Sequence, residues 1–404
     1  MDKALVKILK TLTDSGIEVA IVGGAVRDIL SKKDVSDWDL ATNAKPEEIL
    51  KLFKNSFYNN RFGTVGIKSD DKIFEVTTYR KEFKYSDSRH PDTVVWGKTL
   101  EEDLARRDFT INAIALRFAP FDKSQDKQGK PLANQTQLTI NHLPFTLIDS
   151  YDGQADLRAK LVRTVGDANL RFREDALRLL RAVRFAATLG FDIEKETKVA
   201  IIKNSKLIKK ISGERIRDEL FKIIDNDKSA DGILLLKEVG LLTQILPELD
   251  VCFEVEQKSP KRHHIYDVGA HCVMSLKYCP SKKTIVRFAT LLHDIGKAKV
   301  ANITEEGVRT FYNHEVVGGR QVLDIAKRLN LSRAHREKLF KLVRWHQFSV
   351  DERQTDKALR RFIKNVGQDI VEDMMDLRVG DRLGGGLQQP QSWRLKLYRQ
   401  RLKE

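Results

Sequence analysis

The residues with the most informative types and spacing lie near the N-terminus: Gly23, Gly24 and Arg27, followed by Asp37 and Asp39. The apolar, β-branched stretch before the glycines predicts a buried strand, and the apolar spacing after them predicts a helix. A glycine turn between a strand and a helix leaves backbone N–H groups free beside the positive end of the helix. A phosphate can bind at such a turn.

The two aspartates are predicted to lie on a second strand, residues 37–40. Because residues i and i+2 of a strand face the same way, both carboxylates would point to one spot. Paired carboxylates suit Mg²⁺, which retains water and takes phosphate oxygens as further ligands, and two such ions can clamp an in-line displacement at phosphorus. The alternative is a glycine turn followed by a solvated acidic loop. The whole combination favours a site for a nucleoside triphosphate and magnesium.

A second polar cluster, in residues 104–113, places Arg106, Arg107, Asp108 and Asn112 on about two predicted helical turns. The arginines could hold phosphates or the sugar, and Asn112 could hold a ribose hydroxyl. The alternative is a buried ion pair that holds domains together.

Residues 173–185 are predicted to form one amphipathic helix, which carries Glu174, Asp175, Arg178 and Arg181. A carboxylate beside an arginine presents an acceptor and donors in one plane. Cytosine and adenine offer an amino donor next to a ring-nitrogen acceptor, whereas uracil and guanine offer a carbonyl there. Asp175 and Arg178 could therefore accept C and A. The alternative is an ordinary ion pair between Glu174 and Arg178 at a helix start.

A third set of candidate ligands lies towards the C-terminus, where an apolar helix ends in adjacent His and Asp residues. Histidine is a common transition-metal ligand, and aspartate is a natural co-ligand. The alternative is a helical domain that binds RNA but no metal. The full set of candidate ligands is His271, His293, Asp294, His314, His346 and Asp381.

Other stretches predict the elements around these residues. Residues 63–68 and 72–79 predict a hairpin, on which Glu75 is either a third metal carboxylate or an ordinary strand-edge residue. The polar residues 83–98 predict a mobile loop, and residues 119–137 predict an exposed excursion between two strands.

Composition limits the class of protein. The 404 residues carry a net charge of +15 and a pI near 9.5, which indicates a polyanionic partner, although solubility alone is an alternative. No run approaches the ~18 apolar residues of a membrane span, and the amphipathic N-terminus does not resemble a secretory signal. Three cysteines without a Cys-x-x-Cys pair favour a reducing cytoplasm over a disulfide framework.

These motifs together resemble the class II tRNA nucleotidyltransferases, the bacterial CCA-adding enzyme and poly(A) polymerase family. The resemblance covers roughly residues 15–225 and rests on three ordered motifs, whose residues are Gly23-Gly24 with Asp37 and Asp39, the stretch 106–113, and Glu174-Asp175 with Arg178. The histidines and aspartates further on resemble the ligand set of an HD phosphohydrolase domain. Ser31-Lys32 departs from the Leu-Gly that is frequent in the family, outside the chemistry.

The resemblance implies an α/β, polymerase-β-like nucleotidyltransferase head followed by mostly α-helical neck, body and HD domains. We expect the head at 1–155, a helical neck and RNA-binding domain at 156–255, and the HD domain with a tail at 256–404. Gly24 and Arg27 would contact the triphosphate, and Asp37 and Asp39 would hold catalytic Mg²⁺.

The family also implies how the incoming base is chosen. Glu174, Asp175 and Arg178 would form an amino-acid template for the base, with Arg181 close by. The loop near Asp87 and Arg89 resembles the element that the family uses in switching from C to A.

The implied reaction is CCA addition to the 3′ end of tRNA from CTP and ATP, with no DNA or membrane partner. Poly(A) synthesis is less favoured, because no long basic C-terminal extension is present and residues 61–65 resemble the CCA-type strand. A-only or C-only addition stays open. Two further alternatives are an HD phosphohydrolase with an RNA-binding head, and a non-catalytic RNA-binding protein. A transition metal could occupy the HD site.

Overall fold

The computed structural model describes residues 2–35, 37–60, 63–69, 72–83, 93–118, 137–140, 143–257, 266–348, 353–386 and 393–402. The chain divides into two compact units. One unit comprises Met1–Arg178 with Asp192–Ala200, and the other comprises Leu179–Phe191 with Ile201–Glu404.

The first unit is built on an eight-stranded mixed sheet, in the order β3-β4-β5-β2-β1-β8-β10-β9, in which only β2 and β5 pair in parallel. Its helices and strands are α1 Lys3–Asp14, β1 Val19–Val22, α2 Gly24–Leu30, β2 Asp39–Thr42, α3 Pro46–Leu52, β3 Ser56–Asn60, β4 Thr64–Ser69, β5 Lys72–Thr78, β6 Arg80–Phe83, β7 Thr93–Trp96, α4 Leu100–Ala105, β8 Ile114–Phe118, β9 Gln137–Ile140, β10 Leu143–Asp149, α5 Gly153–Ala159, β11 Leu161–Val162 and α6 Ala168–Glu174, followed by α7 Leu177–Leu189, β12 Asp192–Ile193 and α8 Lys195–Asn204 at the boundary of the units.

Apolar side chains of the sheet and of α1 form the core of this unit. Leu5, Leu9 and Leu12 of α1 pack in one buried cluster with strand residues such as Ile21 and Leu40. The one-sided apolar spacing of α1 explains this packing, because residues three and four apart share a helix face. The core supports the strand ends that carry the candidate active site.

The predicted strand before the glycines, the helix after them and the hairpin of β4 and β5 are confirmed. The prediction of a loop over residues 83–98 is wrong at Phe83, which ends β6, and at residues 93–96, which form β7; the two strands pair in register Arg80↔Trp96. Residues 84–92, which include Asp87 and Arg89, lie outside the described residues, as do Arg61, Phe62 and residues 119–136 of the predicted excursion, whose last residue, Gln137, begins β9.

In its described residues, the second unit is helical apart from one short pair of strands. Its elements are α9 Gly213–Ile224, α10 Ser229–Glu238, α11 Leu242–Ile245, α12 Pro247–Asp250, α13 Val268–Tyr278, α14 Thr284–Leu292, α15 Lys297–Val300, β13 Asn302–Ile303, β14 Arg309–Thr310, α16 His314–Arg328, α17 Arg333–Arg344, α18 Asp356–Val366, α19 Val371–Gly384 and α20 Trp393–Arg401. Among the helices that the structure describes, none combines the length and apolar character needed to cross a bilayer.

Candidate active site

The turn between β1 and α2 is the centre of the first candidate site. Gly23 caps α2 with φ 72°, a left-handed conformation that favours glycine. A Cβ added there would lie 3.0 Å from Nη1 of Arg107 and 3.4 Å from Oδ2 of Asp39. A cation and a carboxylate therefore converge on the turn, where a side chain at position 23 would crowd the Arg107 guanidinium and touch Asp39.

Asp39 begins β2 and lies opposite Glu75 of β5 in the parallel register. Opposed residues of a ladder carry their side chains on the same face of the sheet, so the two carboxylates are neighbours. β5 lies between β4 and β2, which rules out the strand-edge interpretation of Glu75. Asp37 is exposed and precedes the strand, so the prediction of a strand over residues 37–40 is wrong at its first two positions.

Carboxylate oxygens at these three positions suit Mg²⁺, which prefers hard oxygen ligands and retains water. The exposure of Asp37 and Glu75 leaves room for that water and for phosphate oxygens. The donor set therefore fits a magnesium site.

Arg27 is oriented by two side chains. Its Nε and Nη2 donate to the Asp28 carboxylate at 2.9 and 3.1 Å, and its Nη1 donates to Oδ1 of Asn112 at 3.0 Å. Asn112 in turn donates to Oδ1 of Asp108 at 3.2 Å. The two candidate clusters at residues 23–27 and 106–112 therefore form one hydrogen-bonded network.

Asp103 holds both arginines of the second cluster. Nε of Arg106 lies 2.9 Å from Oδ1 of Asp103, and Nη2 of Arg107 lies 3.2 Å from Oδ2. Burial raises the pKa of Asp103, but the two guanidinium groups outweigh burial and hold this pKa below its ordinary value. These residues are not on continuous helical turns as predicted, because α4 ends at Ala105 and a short 3₁₀ helix follows at Thr110–Asn112.

The predicted single helix over residues 173–185 is broken at Asp175. Asp175 has extended backbone, and its Oδ1 accepts a hydrogen bond at 3.0 Å from the N–H of Leu177, the first residue of α7. A short polar side chain that satisfies a free helix N–H stabilises a helix start, which is the physical reason for the break.

The residues that were predicted to select the base remain in contact across this break. Nη1 of Arg178 donates to Glu174 at 2.6 Å, and its Nη2 donates to the carbonyl oxygen of Arg106 at 2.8 Å. Arg181 lies on the part of α7 assigned to the second unit, 3.8 Å from the buried Glu219, so its role in the template stays a prediction.

The six candidate ligands of the second unit form one cluster around Asp294, in which five are buried and Asp381 is partly exposed. Its Oδ2 lies 3.5 Å from Nε2 of His271 and 3.3 Å from Nε2 of His293. Its Oδ1 lies 3.2 Å from Nε2 of His314 and 3.4 Å from Nε2 of His346. The sixth residue, Asp381, lies 3.2 Å from Nε2 of His271 and 3.5 Å from that of His293.

Backbone carbonyls orient three of the imidazole rings. Because Nδ1 donates to a carbonyl, Nε2 of each of these rings faces the cluster, as in metal sites. The Nδ1 atoms lie 2.7–2.8 Å from their acceptors, in the pairs His293 to Thr290, His314 to Phe311 and His346 to Val343.

The two carboxylates of the cluster also supply negative charge, which favours a bound cation. Burial lowers the pKa of His293, but the Asp294 and Asp381 carboxylates outweigh burial and raise it to about 10. Nζ of Lys297 lies 2.6 Å from Oδ2 of Asp294. Two three-ligand sets of His and Asp lie close enough to share an ion among the described residues, and both belong to this cluster. The N- and O-donors fit a transition metal.

Three supporting residues were missed in the sequence: Asp28, Asp103 and Lys297. Asp103 precedes Arg106 and Arg107 by three and four positions, and Asp294 precedes Lys297 by three. Such spacing on a helix is the signal that could have indicated both sets of ion pairs. Asp28 follows Arg27 directly, and adjacency in sequence gives no comparable signal.

Three parts of the chain match known protein families. Residues 19–163 match the poly A polymerase head domain. In this part the chain is similar to the poly(A) polymerase and tRNA nucleotidyltransferase family. Residues 190–253 match a domain described as a probable RNA and SrmB-binding site of polymerase A, and residues 262–383 match the HD domain.

Individual relatives of the chain are CCA-adding enzymes. That of Geobacillus thermodenitrificans is 40% identical over 239 residues, which are 59% of this chain and 53% of the relative. That of Lactobacillus helveticus is 42% identical over 217 residues, 54% of this chain and 48% of the relative. The chain thus spans about half the length of the curated relatives it matches.

Solved structures resemble the whole chain. The Bacillus stearothermophilus CCA-adding enzyme in complex with CTP has a TM-score of 0.67 at 25% identity, covering 100% of this chain and 83% of that one. The Thermotoga maritima CCA-adding enzyme complexed with tRNA has a TM-score of 0.61 at 18% identity, covering 100% and 84%. The second likeness concerns the fold alone.

Proposed function

We propose that the protein adds C and A nucleotides to the 3′ end of tRNA from CTP and ATP. The observation that carries this proposal is the convergence of Asp39, Glu75 and Arg107 at the Gly23 turn. A carboxylate pair beside a cation and a glycine turn can hold a magnesium triphosphate, and the CCA-adding relatives support the same reaction.

In the proposed reaction, the 3′-hydroxyl of the RNA attacks the α-phosphate of the nucleotide and pyrophosphate leaves. Asp37, Asp39 and Glu75 would hold Mg²⁺, which supplies positive charge at the phosphates when bound. The Gly23 turn and Arg107 bind the triphosphate, and Arg27 is kept beside them by Asp28 and Asn112. Catalysis by this chain is then mainly positioning and electrostatics.

Base selection is proposed for Asp175 and Arg178. A carboxylate accepts from the amino group of cytosine or adenine while a guanidinium donates to the ring nitrogen, and uracil and guanine lack this pattern. Arg178 is buried and is held by Glu174 and the Arg106 carbonyl, which supports a fixed donor direction. Arg181 would complete the template.

We also propose the domain organisation that the sequence predicts, with a head at 1–155, a neck at 156–255 and an HD domain at 256–404. The matches to three domain families support a division into three domains. The net charge of +15 supports binding to the phosphates of the tRNA acceptor arm. Three buried cysteine thiols support a reducing, cytoplasmic location.

The test supplies each nucleoside triphosphate singly to tRNAs that lack CCA, CA or A, and sequences the products. CCA addition predicts C on the first two tRNAs and A on the third, with no product from UTP or GTP. Long A tails would indicate poly(A) synthesis, and products from CTP alone or ATP alone would indicate a restricted enzyme.

A second activity, phosphoester hydrolysis at the HD centre, is favoured by one observation: the two candidate three-ligand metal sets that share the cluster around Asp294. A transition metal there would supply an activated water when bound. The substrates that fit an RNA enzyme are 2′,3′-cyclic and 3′-phosphates at RNA ends.

This activity is tested by adding Ni²⁺, Co²⁺ or Mn²⁺ to purified protein and measuring hydrolysis of a 2′,3′-cyclic nucleotide. Hydrolysis that disappears in Asp294→Asn but persists in Asp324→Asn, a change at an exposed aspartate of α16, supports the proposal. Lack of hydrolysis with all three metals contradicts it.

A further inference from the structure

Helix α18 carries a row of exposed cations that the activities above leave without a role. Lys357, Arg361 and Lys364 are exposed and lie at positions i, i+4 and i+7, so they share one face of the helix. We call these three residues the α18 stripe. Arg360, also exposed, lies beside them.

Among the described residues, no acid pairs with the α18 stripe. Asp356, the acid at the start of α18, lies 2.8 Å from Arg401 and is occupied by it. Within the described part of the chain, none of the three stripe residues forms an ion pair. Like charges three and four residues apart on a helix repel each other, so an anionic partner would relieve a cost that the fold carries.

The stripe is attached to the HD centre by aromatic packing. Phe362, on another face of α18, lies with its ring centre 4.7 Å from that of Phe348, two residues beyond the ligand His346. The guanidinium of Arg378 lies 5.7 Å from the Phe348 ring centre, and its Nη1 lies 2.8 Å from Oδ2 of the ligand Asp381. Helix α18 therefore packs against the segment that follows His346.

The chemistry of the surface fits RNA. A helix that binds anionic lipid inserts an apolar face, but Leu359 and Val366 of α18 are buried and its Phe362 is packed. Trp393 begins the neighbouring helix α20 with 62% of its surface exposed, and α20 contacts α18 through Tyr398 and Phe362. Cations that follow a backbone, with an exposed aromatic ring for a base, are typical of single-strand binding.

We infer that the α18 stripe binds the phosphates of RNA whose end is hydrolysed at the HD centre. The inference rests on the proposed HD activity and names the substrate class of that centre: RNA strands, as opposed to free nucleotides.

The experiment compares Lys357→Gln/Arg361→Gln/Lys364→Gln with a matched control, Lys3→Gln/Lys7→Gln/Lys10→Gln. The control removes three exposed lysines at the same i, i+4, i+7 spacing from α1. Each protein is loaded with Ni²⁺ and assayed on a short RNA ending in a 2′,3′-cyclic phosphate and on a 2′,3′-cyclic mononucleotide. Affinity for the same RNA with a 3′-hydroxyl is measured by anisotropy at several salt concentrations.

The stripe variant should raise KM for the RNA about tenfold, lower RNA affinity equally and flatten its salt dependence. Its kcat on the mononucleotide and its rate of nucleotide addition to tRNA should match those of the parent, and the control should match the parent throughout. An equal loss in the control, or unchanged RNA affinity in the stripe variant, would overturn the inference.

The experiment distinguishes failure of the proposed HD activity from failure of the inference about the α18 stripe. If the parent protein hydrolyses neither substrate, the proposed HD function is wrong, and delivery of RNA to that centre is overturned with it. If the parent hydrolyses the mononucleotide and the stripe variant slows only nucleotide addition, the stripe serves the other reaction and the inference is overturned while the HD function stands.

Discussion

Asp103 and Asp175 show how single carboxylates organise the candidate active site. Asp103 is buried and contacts two arginines, so its charge sets the direction of both guanidinium groups. Asp175 joins two tasks, since it caps α7 and belongs to the proposed base template. Substitution of either residue therefore changes stability as well as chemistry, and the two effects must be measured separately.

Asp103→Asn should lower the free energy of unfolding by about 2–4 kcal/mol near neutral pH, because Arg106 and Arg107 lose a buried charged partner. The folded pKa of Asp103 is lowered, so its ion pairs stabilise the fold above the ordinary pKa of 3.8 and are lost as the pH falls below it. The free energies of unfolding of the parent and the variant, measured with urea, should therefore converge in acid.

The control for this measurement is Glu101→Gln on the same helix, where the ion pair with Arg117 is half exposed and 3.4 Å long. It should cost less than about 1 kcal/mol. A difference in the free energy of unfolding between the parent and Asp103→Asn that stays constant down to pH 2 would contradict the role assigned to Asp103.

Asp175→Ser retains a side-chain oxygen for the Leu177 N–H but removes the carboxylate, whereas Asp175→Ala removes both. The Ala variant should lose about 1 kcal/mol of stability, and the Ser variant should lose little. Both should relax the choice of C and A over U and G, measured as single-turnover incorporation of each triphosphate.

Asp167→Ala supplies the comparison, because Asp167 caps α6 through the N–H of Leu170 at 2.8 Å. It should reduce stability without changing base choice. Base discrimination by Asp175→Ser that equals that of the parent would refute the template assignment.

At the scale of elements, the β1–α2 turn brings together groups that are far apart in sequence. Gly23→Ala should slow nucleotide addition by about tenfold or more, because a Cβ there meets Arg107 at 3.0 Å and its backbone is left-handed. Gly16→Ala has nearly the same φ but meets nothing within 4 Å, so it isolates the backbone strain. Equal rates for the two variants would contradict the contact.

The elements also show which features the sequence could predict. The β1 strand, the glycine turn and α2 follow from an apolar run and two glycines, which are local signals. The break at Asp175 could not be predicted from charge spacing, because Glu174 and Arg178 pair across the break as they would in a continuous helix. The pairing of Glu75 with Asp39 depends on a parallel register between distant segments.

The HD ligands were predicted as a set, but their shared carboxylate was not. The sequence places His293 beside Asp294 and leaves the others far apart, so only the packing of α13, α14, α16 and α17 reveals that Asp294 contacts four imidazoles. Tertiary packing between helices carries no short-range sequence signal.

At the scale of the whole molecule, the two candidate centres lie in different compact units. Asp39→Ala should therefore leave hydrolysis of a 2′,3′-cyclic nucleotide unchanged, and Asp381→Asn should abolish that hydrolysis while nucleotide addition continues. Parallel assays of both reactions on each variant check this independence. Loss of both reactions in either variant, without a change in melting temperature, would contradict it.

The central claim is that Asp39 serves nucleotidyl transfer to tRNA at the Gly23 turn. Its most direct test is single-turnover incorporation of labelled CTP into a tRNA lacking CCA, with the affinity for that tRNA measured in parallel. Asp39→Ala should abolish incorporation and keep tRNA affinity within about twofold, a difference of ~0.4 kcal/mol. Asp34→Ala, at an exposed acid five residues earlier, should match the parent. Incorporation that persists in Asp39→Ala would contradict the claim.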